Sequence, residues 1–229
     1  MRIIFALIIS SSILFAQNIN EKILFASARG EIDSLNKYLL ADTINLNYRY
    51  KNGYSALDYA IERNHKSVFK RLIEYYSSVY KTPNPTDIET SKLLLAILES
   101  NIKEASKLLE EGADPNNQHI SGYYPISIAS RWEEYEIIKL LLYHGADVNT
   151  VNKNKYDTTP LIELSRNGNT VIGKLLLSKG AEIDFVDVNN DSAINWATYF
   201  GQIEFVKLLL NNGARTDIIG ENSGDNALA

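Results

Sequence analysis

The chain has 229 residues and a formal net charge of -5, with 45% hydrophobic and 22% charged residues, proportions that suit a folded domain or a short repeat array and exclude a disordered or wholly membrane-embedded chain. It has no cysteine, which excludes disulfides, zinc–thiolate sites, iron–sulfur clusters and thiol nucleophiles. The acidic balance gives no bulk positive field to gather phosphates, so nucleic acid is not an expected partner, and the 14 tyrosines and two tryptophans make the placement of aromatic surface the main functional question.

Met1 to Ala16 differ from the rest: Arg2, then an apolar run from Ile3 to Phe15, then Ala16 before Gln17. This is the layout of a secretory signal peptide cleaved near Ala16-Gln17. A helix of the fourteen residues after Arg2 would be roughly 21 Å long, short of the roughly 30 Å hydrocarbon core, and Ser10, Ser11 and Ser12 interrupt it. No stable membrane span is therefore expected after cleavage. Leu14 stands where a small residue is preferred before such a site, so an uncleaved anchor and a buried N-terminal helix stay open as alternatives. With cleavage, the reading is an exported protein, periplasmic in a two-membrane bacterium or secreted.

The remainder repeats itself. L-L-E-E-G-A-D-P-N, L-L-Y-H-G-A-D-V-N, L-L-S-K-G-A-E-I-D and L-L-N-N-G-A-R-T-D end at Asn116, Asn149, Asp184 and Asp217, and their glycines, Gly112, Gly145, Gly180 and Gly213, are 33, 35 and 33 residues apart. Before each of the last three copies stands a second phrase: Tyr124 to Ala129, Thr159 to Leu164 and Ser192 to Ala197. Ser55 to Ala60 fits the same template and Ser91 to Ala96 fits it loosely. Ile203, Phe205, Val206 and Leu208 to Leu210 make a helix apolar on more than one side, as an element sandwiched between neighbours must be. Gly213 then ends it, since a residue past a helix end often needs positive φ.

These two phrases resemble the ankyrin-repeat family, with its T-P-L-H-x-A and L-L-x-x-G-A-D. The resemblance implies an all-α solenoid of helix-turn-helix units joined by β-hairpin-like loops, covering residues 17–229. Units are expected at about 21–50, 51–86, 87–119, 120–154, 155–187 and 188–220, with a partial seventh at 221–229. The family's T-P-L-H histidine is replaced by Asp58, Leu94, Ser127, Ile162 and Asn195, so the hydrogen bonds it would make are in doubt. The second unit lacks the Gly-Ala-Asp phrase and runs through Tyr75 to Pro85, where Pro83 and Pro85 favour an irregular connection. With only a partial seventh unit the sixth is expected to be uncapped, its second helix either tolerating solvent or meeting a partner or, by self-association, another copy of the chain.

Catalytic chemistry is not expected. His65, His119 and His144 fall in different units with no helix-face spacing for a metal, and no phosphate-binding or nucleophile motif occurs. The acidic pairs, such as Glu110-Glu111, point about 100° apart on a helix and read as solvated faces. No catalytic residue, metal ligand or cofactor is assigned. The resemblance implies a non-catalytic scaffold that binds a protein on the concave face made by loop tips and the ends of first helices. Carried onto this chain, that face takes Tyr54, Arg63, Tyr123, Arg131, Trp132, Tyr156, Arg166, Tyr199 and Phe200, an aromatic and arginine composition like that of interface hot spots. Several of these rings have inward packing open as the plainer reading. A small molecule or envelope glycan stacking on the same aromatics is the alternative ligand.

Overall fold

A computed structural model describes residues 18–41, 44–45, 48–79, 85–119 and 121–220 of the chain. The proposed signal segment and the partial seventh unit lie outside the described residues. Among those described are twelve helices in six antiparallel pairs: α1 (Ile19–Arg29) with α2 (Ile32–Tyr38), α3 (Ala56–Glu62) with α4 (Lys66–Val79), α5 (Pro85–Leu98) with α6 (Ile102–Glu110), α7 (Pro125–Arg131) with α8 (Tyr135–Tyr143), α9 (Pro160–Ser165) with α10 (Thr170–Ser178), and α11 (Ala193–Tyr199) with α12 (Ile203–Asn211). No strand is present among them beyond one isolated bridge between Val186 and Ser192. The chain divides at Thr82 into two units, the first carrying α1 to α4 and the second α5 to α12.

Five of the six pairs are closed by the same local chemistry. The last turns of their first helices carry a buried alanine, Ala26, Ala60, Ala96, Ala129 or Ala197, where α9 has Leu164. The residue five positions later donates its N–H back to that carbonyl, as His65 does to Ala60 at 2.7 Å and Gln202 to Ala197 at 2.8 Å. The residue between must turn left-handed: Gly30, Asn64, Ser100, Glu133, Gly168 and Gly201 all have φ between 54° and 81°. At Gly30 the space is also closed, because a Cβ there would meet the His65 ring at 2.8 Å. The second helices of the second unit end alike, with the N–H of Ala113, Ala146, Ala181 and Ala214 on Leu108, Leu141, Leu176 and Leu209 at 2.9 to 3.0 Å, the closure known as the Schellman motif.

Packing follows from the apolar stripes. In the first unit α1 packs on α3 and α2 on α4; in the second, α5, α7, α9 and α11 pack in succession, as do α10 and α12. The core residues are those the repeat phrases mark, among them Leu57, Phe69 and Leu72 in the first unit and Ile126, Leu141, Leu176 and Phe205 in the second, each 2% exposed or less. Two of the substituted T-P-L-H positions recover hydrogen bonding. Asp58 accepts the N–H of Ser55 at 2.9 Å and Asn195 that of Ser192 at 3.1 Å, forming capping boxes at the starts of α3 and α11. Leu94 and Ile162 are simply buried, and Ser127 is buried with its hydroxyl unbonded.

One expected irregularity is corrected. Tyr75 to Val79, read as part of a loop, continue α4, because nothing before Pro83 breaks a helix and Tyr76 extends its buried stripe through Phe69, Leu72 and Ile73. Residues 80–84 lie outside the described residues, and α5 begins at Pro85.

Candidate recognition surface

Four of the loops between pairs are hairpin fingers built on one plan. In each, an inner residue donates its N–H to the carbonyl of the residue preceding the first-helix phrase: Tyr50 to Tyr54 at 2.8 Å, His119 to Tyr123 at 2.9 Å, Asn152 to Thr158 at 2.9 Å and Asp187 to Asp191 at 3.0 Å. Fingers of successive pairs in the second unit are joined through backbone, Lys153 N–H to Gly122 at 2.7 Å and Val188 N–H to Tyr156 at 3.0 Å. Below them asparagines act as clips. Asn116 gives its amide to the Gly145 carbonyl at 2.8 Å and accepts the Asp147 N–H at 2.7 Å; Asn149 does the same with Gly180 and Glu182, at 3.0 and 2.8 Å.

That plan sorts the nine predicted contact residues. Tyr54 and Tyr123 both occupy the finger's closing position, whose register turns the side chain inward. Tyr123 is therefore buried, 1% exposed, and is not available as a surface contact. Tyr54 is half-buried and stacks on Tyr59 with centroids 4.6 Å apart. Arg131 and Arg166 are buried as well, each 4% exposed, and they too are corrected from surface to interior. Arg63 is exposed at the end of α3, and Trp132 is half-buried at the end of α7.

The remaining residues gather in the second unit. Arg166, at the end of α9, places its guanidinium 4.3 Å from the Trp196 ring centroid, 5.7 Å from that of Phe200 and 5.8 Å from that of Tyr156. A cation desolvated among rings in this way gains about 2 kcal/mol or more from their quadrupoles. Its Nε lies 3.9 Å from a carboxylate oxygen of Glu163, itself buried. The other oxygen of Glu163 accepts the Thr158 hydroxyl at 2.5 Å. Trp196 is the hub: it meets Tyr156 edge-on at 5.4 Å and Tyr199 at 6.1 Å, stacks with Phe200 at 5.9 Å, and donates its indole N–H to Asp187 at 2.9 Å. Burial raises the pKa of Asp187 above the usual carboxylate range, against the hydrogen bonds from Trp196 and from the Asp191 and Asn189 N–H groups. Tyr199 is 62% exposed, while Tyr156 and Phe200 are half-buried.

Trp196 was not among the predicted contacts, although its spacing to Tyr199 and Phe200, three and four residues on, puts all three on one face of α11. Lys155 joins the edge of the group, its ammonium 4.7 Å from the Tyr156 centroid and 3.3 Å from the phenol oxygen. Of the histidines, His119 is 1% exposed and bridges two elements: Nε2 meets the Ser91 hydroxyl at 2.8 Å, and Nδ1 meets the Ser121 hydroxyl at 2.7 Å and accepts the Ser121 N–H at 3.1 Å. Burial lowers its pKa to about 4. Among the described residues no group of three histidine or carboxylate side chains is placed to hold a metal ion, and no helix is long and apolar enough to cross a membrane.

Stacked helical hairpins closed by glycine or left-handed turns, joined by hairpin fingers and stitched by asparagine clips, define a repeat protein whose units share one interface. A family model of three ankyrin repeats matches residues 151–220, and a single ankyrin-repeat model matches residues 121–153. Ankyrin repeat protein nuc-2 of Neurospora crassa is 27% identical over 189 residues, 81% of this chain and 17% of that protein. Human inversin is 31% identical over 128 residues, 55% of this chain and 12% of that protein. Mouse neurogenic locus notch homolog protein 1 is 28% identical over 204 residues, 83% of this chain and 8% of that protein. The chain spans under a fifth of each of these relatives. Ankyrin repeats are thus detected over residues 121–220 of this chain.

Proposed function

We propose that this protein is an exported, non-catalytic scaffold that binds a protein partner through the aromatic face at the ends of α9 and α11. The family's general character as an interaction module supports the scaffold, and the Arg2, Ile3–Phe15, Ala16 layout supports export. The observation that carries the binding site is the group of Tyr156, Trp196 and Phe200 around the buried Arg166, with Tyr199 against Trp196 and Phe200. Large rings held in fixed positions offer contact area at little ordering cost on association. Tyr199 is the outermost of them, and its exposure is unexplained by any need of the core.

Affinity capture from native cell extract tests this reading. Wild-type protein is expected to retain a polypeptide that Tyr199→Ala with Phe200→Ala loses, both proteins having equal melting temperatures. Undiminished capture by the double variant would assign these rings to the scaffold alone. Fractionation of the producing cells tests export: protein beginning at Gln17 outside the cytoplasm is expected, and full-length cytoplasmic protein would contradict it.

A further inference from the structure

We infer that Asn52 is a site of spontaneous covalent modification: its side-chain amide is lost as ammonia to the backbone nitrogen of Gly53, through a succinimide that water opens to aspartate or isoaspartate. Glycine after asparagine is what the reaction needs locally, because without a Cβ the following nitrogen is open to approach and its backbone is free to turn. The chain has three such pairs, Asn52-Gly53, Asn167-Gly168 and Asn212-Gly213, and the fold holds them differently.

At Asn167 and Asn212 the carboxamide is turned away from the next nitrogen. Asn212 follows α12 and donates its amide back to the Leu208 carbonyl at 2.8 Å, four residues up the helix. Asn167 donates across to the Arg131 carbonyl at 2.6 Å, and Gly168 is packed so closely that a Cβ there would meet Gln202 Oε1 at 2.5 Å. Asn52 instead is exposed at the tip of the finger that Tyr50 and Tyr54 close, and a Cβ on Gly53 would meet nothing within 4 Å. Its Oδ1 accepts the Tyr54 N–H at 3.3 Å and its amide donates to the Tyr59 hydroxyl at 2.9 Å. An asparagine that accepts from the N–H two residues on is folded forward along its own chain, which brings Cγ toward the Gly53 nitrogen.

The same finger assists the chemistry. The Gly53 N–H rests on the Tyr50 carbonyl at 2.8 Å; when the tip opens, hydroxide removes that proton and the nitrogen adds to Cγ of Asn52. Oδ1 then carries the negative charge, and the Tyr54 N–H already directed at it is a donor whose bond strengthens as the charge develops. The Cγ–Nδ2 bond breaks, ammonia leaves with a proton from water, and hydroxide is regenerated. Water opens the ring at either carbonyl. Both products lose the amide donor to Tyr59, and isoaspartate lengthens the backbone between Tyr50 and Tyr54, so the finger loosens.

Incubating the full chain at mildly alkaline pH tests this, with peptide mass spectrometry and labelling by isoaspartate methyltransferase as readouts. The mass gain of an amide-to-acid change and the methyl label are expected at Asn52 about tenfold or more faster than at Asn167 or Asn212. In urea the three rates should converge, because only the shared Asn-Gly pair then remains. Equal rates in the folded chain, or faster conversion at Asn167 or Asn212, would overturn the inference. So would a ranking that survives in urea, since the neighbouring residues rather than the fold would then set it. Ageing should lower the melting temperature of wild type and not of Asn52→Gln; an unchanged melting temperature after full conversion would overturn the loosening of the finger.

Discussion

His119 and Asp187 occupy the same place in two fingers and do the same work with opposite chemistry. Each donates its N–H across the finger, at 2.9 and 3.0 Å, and each side chain caps the turn, His119 Nδ1 accepting Ser121 N–H at 3.1 Å and Asp187 Oδ1 accepting Asn189 N–H at 2.8 Å. Asn152 holds that place in the finger between them and likewise donates its N–H across, to Thr158 at 2.9 Å. Because Nδ1 accepts, the neutral ring carries its proton on Nε2 and donates it to Ser91.

Protonation of His119 would remove that acceptor, which fixes the sign of its pH dependence. Its folded pKa is about 4 against 6.5 for the free side chain, so below about 6.5 the unfolded chain takes up a proton that the folded chain refuses. Stability contributed by the neutral ring is present above that value and is lost as pH falls toward 4, about 3 kcal/mol in full. Urea unfolding at pH 7 and pH 4.5 should show wild type losing about 2 kcal/mol more than His119→Asn. Equal losses in the two proteins would contradict this.

Asp187 runs the other way. Its raised pKa means that the folded state binds a proton more readily than the unfolded chain does, so the cost of its charge is present above its folded pKa and is relieved as pH falls through that pKa toward the ordinary carboxylate value. Asp187→Asn removes the buried charge but turns an NH2 toward a donor, because one oxygen receives Asn189 and Asp191 and the other Trp196. A net destabilisation of about 1–2 kcal/mol at pH 7 is expected, with a change in Trp196 fluorescence. A variant more stable than wild type would contradict the assigned bonds.

The asparagine clips make a paired prediction. Asn149→Ala should cost about 1–2 kcal/mol by orphaning the Glu182 N–H and the Gly180 carbonyl. Asp184 holds the equivalent place and accepts the Arg215 N–H at 2.9 Å, but a carboxylate has no donor for the Gly213 carbonyl. Asp184→Asn should therefore stabilise by up to about 1 kcal/mol. Thermal unfolding of both variants checks the opposite signs.

Gly173 lies inside α10 without a positive φ. A Cβ there would meet Phe205 at 2.6 Å and Leu208 at 2.8 Å, both on α12. Gly173→Ala gains about 1 kcal/mol of helix propensity and costs about 1–3 kcal/mol of overpacking, so the melting temperature should fall. A rise would mean that α10 and α12 are not in such close contact.

The architecture was legible because the Gly-Ala phrase is itself a structural device: the glycine supplies the left-handed turn and the alanine N–H closes it. The corresponding turn inside each pair is less legible, because glycine fills it in three pairs, at Gly30, Gly168 and Gly201, and Asn64, Ser100 and Glu133 fill it in the others. The aromatic face was legible in part. Tyr156, Tyr199 and Phe200 reach it, but the repeat template places positions rather than side-chain directions, and finger register turns Tyr123 inward. Arg166 sinks because rings from the next pair surround it. Neither that nor the bridge from His119 to Ser91, 28 positions away, follows from local spacing.

The central claim is that the end of α11 meets a protein partner, and photo-crosslinking in the native cell tests it most directly. Tyr199 and Tyr143 are both exposed tyrosines, one at the end of a first helix and the other at the end of a second. With p-benzoylphenylalanine in place of each in turn, a discrete polypeptide adduct is expected from position 199 and not from position 143. Adducts from position 143 alone, or none from position 199 in folded protein, would contradict it.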